Sequence, residues 1–224
     1  GLAVAPAGGT WLPRSAWAQR RWRFDPFSLG VASGAPAADG VVLWTRLTAP
    51  GWFESVGDDP IPVRWEVADD EHFARVVRRG ESLAMPALAH SIHAEVTGLA
   101  PDRWYHYRFI TGEAVSPTGR TRTLPAAGAR VNRLRLAYAS CQRWEHGYYG
   151  AYRHMRDEQP DLVLFLGDYI YEYPTALSSV RSHPSLGLVR SLSDYRDRYV
   201  LHRSDAALQA MHATCPWLLA WDDH

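Results

Sequence analysis

Three short polar clusters in the second half of the chain combine side chains that are common metal ligands. The clusters are Ser140-Cys141-Gln142, Gly167-Asp168-Tyr169-Ile170-Tyr171 and Asp222-Asp223-His224. A thiolate, carboxylates, a phenol and an imidazole together suit a metal site better than a nucleophilic triad. A thiolate with a phenolate favours a transition metal such as ferric iron, whereas additional carboxylates favour Ca²⁺ or Mg²⁺. The residue types therefore predict metal-dependent chemistry.

Each cluster follows an apolar run that is typical of a β-strand. The run Leu162–Leu166 is continuous and short, as in a strand buried on both faces, and Trp217–Trp221 is another such run. Before the first cluster, apolar residues alternate with others over 134–138. Between that strand and the next, Tyr152 and Met155 recur at helical spacing, which predicts a βαβ unit with a parallel sheet. Ligands of open α/β sheets bind beyond the carboxyl ends of the strands, so we expect the three clusters to converge.

The first half of the chain has the pattern of an all-β domain. Short runs of β-branched and aromatic residues lie at 41–45, 63–67, 93–96 and 104–109. The turn residues between these runs are typical of a β-sandwich. Leu99, Pro101 and Tyr105 have the spacing of the tyrosine corner of fibronectin type III modules, in which the phenol bonds to upstream backbone. The expected fold is therefore an immunoglobulin- or fibronectin-III-like sandwich followed by an α/β domain.

These patterns divide the chain into four segments. We predict the tail of a secretory signal peptide at 1–18, a linker at 19–26, a β-sandwich domain at 27–125 and an α/β domain at 133–224. In the α/β domain two further helices are predicted, over 192–200 and 205–213. The leader is inferred from small and apolar residues that end at Ala16-Trp17-Ala18, a small-x-small pattern of signal-peptide cleavage sites. It predicts export to the periplasm, the cell surface or the medium.

Composition excludes several other classes of function. The chain has 24 basic residues, all arginine, and 24 acidic ones. Its net charge is therefore zero, without the excess of positive charge that is typical of nucleic-acid-binding proteins. The absence of lysine excludes Schiff-base and P-loop lysine chemistry. No run of 18 apolar residues that would span a membrane occurs. An oxidising compartment would allow one disulfide between Cys141 and Cys215; the sequence leaves this pairing and the oligomeric state open.

The combined motifs resemble the PhoD-type alkaline phosphatase/phosphodiesterase family of the calcineurin-like metallophosphoesterase superfamily. The usual blocks of that superfamily are Asp-x-His, Gly-Asp-x-x-Asp and Gly-Asn-His-Asp/Glu, and the three polar clusters stand in their places with the departures typical of the PhoD branch. The segments Phe27–Gly34 and Val42–Leu47 resemble the N-terminal sandwich of that family, and Asp194–Tyr199 and Pro216-Trp217 also fit. The resemblance covers roughly residues 27–224.

The resemblance implies a site with Fe³⁺ and Ca²⁺. Cys141 would bind iron as a thiolate, and Tyr171 would complete the iron site as a phenolate. Asp168 would bridge iron and the second ion, and Asp223 would hold that second ion. The remaining histidine and aspartate ligands of the superfamily come from later strands, so the α/β domain is expected to be truncated at its C-terminus.

The same resemblance implies hydrolysis of phosphate monoesters or diesters. A metal-bound hydroxide would attack phosphorus in line, without a covalent phosphoenzyme. His224 would contact the phosphate and assist the leaving group, and Arg143 is a candidate phosphate clamp. The substrate would be a small phosphate ester or a phospholipid.

Three alternatives stay open at this point. The first is a phospholipase D-like phosphodiesterase of the same family. The second is an exported β-sandwich binding module with a non-catalytic α/β remnant, which predicts a protein without metal. The third is an enzyme with Cys141 as nucleophile, which predicts turnover that alkylation abolishes and chelators leave intact.

Overall fold

A computed structural model describes residues 21–49, 56–174, 179–182 and 187–224. The predicted signal-peptide tail at 1–18 lies outside the described residues, and so do the first two residues of the predicted linker. Among the described residues, no helix is both long enough and apolar enough to cross a membrane.

The structure confirms the strands and helices predicted from the sequence and adds four strands, β1, β4, β7 and β8. The strands are β1 Val31–Gly34, β2 Gly40–Arg46, β3 Ile61–Ala68, β4 Val76–Ala84, β5 Ser91–Thr97, β6 Trp104–Thr111, β7 Ala114–Val115, β8 Gly119–Arg122, β9 Leu136–Ala139, β10 Leu162–Phe165 and β11 Trp217–Leu219. The helices are α1 Ala151–Asp157, α2 Leu192–Arg203 and α3 Ala206–His212. Strand β11 ends at Leu219, two residues before the end of its apolar run.

The first half is a β-sandwich, as predicted. Strands β5, β2 and β1 pair antiparallel on one side, and β4, β3 and β6 with β7 and β8 form the other sheet. Side chains alternate across each strand, so that Ile92, Ala94 and Val96 of β5 are buried between the sheets. The phenol oxygen of Tyr105 accepts a hydrogen bond of 2.9 Å from the backbone N–H of Ala100, which confirms the tyrosine corner.

The described part of the predicted linker packs against this sandwich. Trp22 and Phe24 contact its core, and the indole N–H of Trp22 donates to the carbonyl of Thr111 at 3.0 Å. Residues 22–26 therefore belong structurally to the first half of the molecule.

The second half is the start of an α/β domain with parallel strands, as predicted. Strand β10 pairs in parallel with β9 on one side and with β11 on the other. Helices α1 and α3 cover one face of these strands, where Val163, Phe165 and Trp217 are buried. The opposite face is largely open in the described part of the chain: its exposed side chains include Leu136, Tyr138 and Leu218. The strands are therefore covered on one face in the described part of the chain, whereas the sequence pattern predicts burial on both.

The two halves share one sheet, which the sequence did not indicate. Gly34 of β1 pairs in parallel with Trp217 of β11, so the six strands lie in the order β5-β2-β1-β11-β10-β9. A Cβ atom at Gly34 would lie 2.9 Å from the carbonyl oxygen of Trp217, and glycine therefore allows the two strands to approach. The buried guanidinium of Arg203 reinforces the junction by donating to the carbonyls of Leu29 (3.0 Å) and Val31 (3.3 Å).

Candidate metal centre

The three polar clusters converge at the carboxyl ends of β9, β10 and β11. The backbone N–H of Cys141 donates to the carbonyl of Gly167 at 3.2 Å, and that of Gln142 donates to the carbonyl of Asp168 at 3.1 Å. Cys141 and Asp168 both adopt left-handed backbone conformations, with φ of 58° and 57°. Left-handed conformations are uncommon for residues other than glycine and are concentrated at functional sites. They turn both residues sharply at the strand ends.

Asp168 is the centre of this arrangement. Its Oδ2 accepts a hydrogen bond of 2.9 Å from the phenol of Tyr171 and lies 3.5 Å from Sγ of Cys141. Its Oδ1 is buried and has no hydrogen-bond partner among the described residues. A buried carboxylate oxygen without a donor is costly, whereas a cation beside it would satisfy it. The buried, unpartnered oxygen therefore fits a metal ion.

The phenol of Tyr171 is held in its protonated form by its surroundings. Burial raises its pKa, and its hydrogen bonds with Asp168 and Cys141 raise that pKa further. Nearby negative charge favours the neutral phenol, whereas a cation bound at the site would favour the phenolate.

A group of three carboxylates forms the second part of the site. Asp168, Asp222 and Asp223 each offer one oxygen, and these oxygens all lie within 4.8 Å of one another. A Cβ atom at Gly167, where φ is +116°, would lie only 2.4 Å from Cβ of Asp222, so the glycine lets the two strand ends meet. The sequence predicts Asp223 as the ligand at this position. The geometry adds Asp222, which directly precedes Asp223 in the chain.

His224 lies beside Tyr171 and is paired with Glu172. Its Nδ1 is 2.9 Å from Oε2 of Glu172, and its ring centroid is 4.6 Å from that of Tyr171. The hydrogen bond with Glu172 raises the pKa of His224 above its ordinary value. Sequence reasoning missed Glu172, although it directly follows the predicted ligand Tyr171.

Arg143 lies on the same side of the site as Tyr171. Its guanidinium carbon lies 5.6 Å from the ring centroids of both Tyr171 and Tyr173, and its Nε is 3.5 Å from Oε2 of the buried Glu145. Stacking on aromatic rings orients a guanidinium while leaving its charge available to an anion. This position fits the predicted phosphate clamp.

Gln142 supports the first strand end and takes no part in the ligand set. Its Nε2 donates to the carbonyl of Tyr169 at 3.0 Å, and its Oε1 accepts from the phenol of Tyr152 at 2.6 Å. The phenol of Tyr149 donates to its backbone carbonyl at 2.9 Å. These three hydrogen bonds connect helix α1 and the residue just before it with the carboxyl ends of β9 and β10.

The structure therefore brings all six residues selected from the sequence to one place. They are Cys141, Asp168, Tyr171, Asp223, His224 and Arg143. Sulfur and phenol oxygen lie on one side of Asp168 and suit a transition metal, while the added carboxylates suit a hard cation. Cys141 is exposed and Cys215 is buried, and the two form no disulfide.

Comparisons with known proteins place these features in one family. A model described as the N-terminal domain of PhoD-like phosphatases matches residues 13–125, and the model of the PhoD-like phosphatase itself matches 136–224. Alkaline phosphatase D of Bacillus subtilis (strain 168) is 53% identical over 231 residues, which cover 100% of this chain and 39% of that protein. A solved structure of PhoD has a TM-score of 0.87 and 51% identity, over 92% of this chain and 40% of that one.

Proposed function

Because the chain belongs to the PhoD-like phosphatase family, we propose that it supplies the metal-binding core of an enzyme that hydrolyses phosphate esters. It spans 39% of the length of the alkaline phosphatase D that it matches. The proposal therefore concerns the full-length protein.

The observation that carries this proposal is the carboxylate of Asp168. One of its oxygens contacts the Cys141 thiol and the Tyr171 phenol, and the other is buried without a partner in the described part of the chain. Because Oδ2 lies beside the thiol and the phenol while Oδ1 has no hydrogen-bond donor in the described part of the chain, each oxygen of this carboxylate could bind a different cation. This supports ferric iron at Cys141 and Tyr171 and calcium at Asp223, with Asp222 as an additional ligand.

Bound metal ions would lower the pKa of a water molecule and polarise the phosphoryl oxygens. Side chains of the protein would bind the phosphate group of the substrate and protonate its leaving group. Arg143 would bind the phosphate oxygens, since its guanidinium is stacked and partly exposed at the site. His224, oriented by Glu172, would protonate the departing alcohol oxygen.

Metal analysis and turnover of the full-length protein test this function. We expect iron and calcium in the purified protein, and phosphatase activity that a chelator removes. Replacement Cys141→Ala removes the sulfur ligand and is expected to abolish iron binding and most activity. Its control is Cys215→Ala, because Cys215 is buried away from the site. A metal-free wild-type protein, or activity that resists chelators and depends on Cys141, would refute the proposal.

A diester or phospholipid substrate is the second candidate. A cavity of about 190 Å³ adjoins His224 and is lined mostly by apolar and aromatic side chains, including Ile170, Leu219 and Trp221. Such a cavity suits the apolar part of a phospholipid better than the sugar of a nucleotide. Comparing kcat/KM for phosphatidylcholine, bis-p-nitrophenyl phosphate and p-nitrophenyl phosphate separates the substrate classes.

We also infer that the protein is exported, on the strength of the small-x-small pattern at Ala16-Trp17-Ala18. Fractionation of cells, followed by N-terminal sequencing of the mature protein, tests this. Cleavage after Ala18 is expected, and an uncleaved cytoplasmic protein would contradict it.

A further inference from the structure

We propose that Arg198 is a positioning residue of the metal centre, which places Tyr171 and Arg143 through two separate sets of contacts. The inference deepens the proposed function and rests on it, because both placed residues belong to that site.

Arg198 lies on helix α2, whose N-terminus is stabilised by a capping box. In this capping box, Asp194 N–H donates to Oγ of Ser191 (3.2 Å) and Ser191 N–H donates to Oδ2 of Asp194 (2.8 Å). Arg198 lies one turn further along and is only 2% exposed. A guanidinium in such surroundings requires hydrogen bonds and a negative partner.

The first set of contacts holds the backbone around Tyr171. Nη1 of Arg198 donates to the carbonyl of Tyr171 at 2.8 Å and to that of Tyr173 at 3.1 Å. These carbonyls flank Glu172, so one guanidinium nitrogen fixes the turn that follows the Asp168 cluster. The direction of the Tyr171 phenol toward Asp168 depends on that turn.

The second set of contacts reaches Arg143 through Glu145. Nη1 of Arg198 lies 3.7 Å from Oε1 of Glu145, and Oε2 of the same carboxylate lies 3.5 Å from Nε of Arg143. The side chains of Arg198 and Glu145 are 1% and 2% exposed, whereas that of Arg143 is 24% exposed. A buried pair therefore orients a third, partly exposed charge toward the position of the substrate phosphate.

Arginine suits this double role better than lysine. All three contacts come from Nη1, whose position the planar guanidinium fixes, while a lysine ammonium is a compact charge on a flexible stem. Arg198→Lys keeps a positive charge and is expected to lose the fixed geometry both at the carbonyls and at Glu145. Glu145→Gln keeps the shape and removes only the charge that links Arg198 to Arg143.

Two measurements on the full-length protein separate the two sets of contacts. One is the chelator concentration that removes half of the bound metal, and the other is the affinity for inorganic phosphate by calorimetry. Arg198→Lys is expected to weaken both by roughly 10- to 100-fold, the usual effect of losing support behind a ligand. Glu145→Gln is expected to weaken phosphate binding alone. The matched control is Arg196→Lys on the same helix, which bonds to the carbonyl of Ala87 and should change neither.

A folded Arg198→Lys protein with wild-type metal retention and wild-type phosphate affinity would overturn the inference. So would a Glu145→Gln protein that loses metal as readily as Arg198→Lys. If Arg198→Lys does not fold, Glu145→Gln decides, since unchanged phosphate affinity would overturn the link to Arg143. A wild-type protein without metal contradicts the proposed function itself, so the two failures are distinguishable.

Discussion

At the scale of single residues, the pairing of His224 with Glu172 bears on the catalytic role proposed for the histidine. The carboxylate lies 2.9 Å from Nδ1, which orients the imidazole and would leave Nε2 free for a bound phosphate ester. Glu172→Gln keeps the size of the side chain and weakens this hold. We expect kcat to fall roughly 10- to 100-fold, as for other residues that orient a functional group. Steady-state kinetics check this, with the exposed Glu113→Gln as control; an unchanged kcat for Glu172→Gln would contradict it.

A second residue-scale prediction concerns stability against acid. His202 is buried, its Nδ1 is 2.9 Å from the carbonyl of Arg198, and burial lowers its pKa to about 4. The unfolded chain binds this proton near its ordinary pKa of about 6.5, whereas the folded protein does not. The free energy of unfolding therefore falls as the pH decreases from about 6.5 to about 4.

Urea unfolding at several pH values measures this effect. His202→Gln removes the titrating group, and its free energy of unfolding should fall less between pH 7 and pH 5 than that of the wild type. The exposed His72→Gln serves as control and should retain the wild-type slope. Parallel slopes for the wild type and His202→Gln would contradict the assignment.

At the scale of elements, the turn after β10 determines whether two strand ends can meet. Gly167 has φ of +116°, and a Cβ there would lie 2.4 Å from Cβ of Asp222. Gly167→Ala should therefore destabilise the protein by about 1–3 kcal/mol and displace Asp222 from the site. Chemical denaturation and metal content measure the two effects. Gly187→Ala, where a Cβ meets open space, is the control; equal effects of both substitutions would contradict this role.

The elements that could be predicted are those whose burial leaves a pattern in the sequence. Strand β5 alternates and β10 is continuously apolar, and these patterns predict both strands. Strand β4 carries Arg78, Arg79 and Glu81, and β8 reads Gly-Arg-Thr-Arg, so neither has an apolar face that marks a strand. Their pairing with β3 and β6 forms them in spite of their composition.

The candidate site also contains residues that the sequence predicts and residues that it does not. Its proposed ligands directly follow strands, and the topology of a parallel sheet predicts that they meet. The proposed supporting residues contact partners that are distant in sequence. Glu172 and His224, for example, are 52 positions apart. No local period or spacing encodes such contacts, and the tertiary structure was needed to find them.

At the scale of the whole molecule, the shared sheet predicts that the two halves unfold together. Arg203 donates to Leu29 and Val31 across the junction, and its guanidinium lies 4.8 Å from the ring of Trp44. Arg203→Met leaves those carbonyls without their charged donor and should cost about 1.5–3 kcal/mol. Tryptophan fluorescence and far-UV circular dichroism should report one common midpoint for the wild type. Two separate midpoints would show that the halves are independent.

A neutral net charge is compatible with binding of anionic phosphate esters when metal ions bound at the site supply positive charge. Anomalous diffraction from crystals of the full-length protein tests this most directly. We predict an iron peak within bonding distance of Cys141 Sγ, the Tyr171 phenol oxygen and Asp168, and a calcium peak within bonding distance of Asp168 and Asp223. An active protein whose metal lies elsewhere, or whose Cys141 sulfur contacts no metal, would contradict the account.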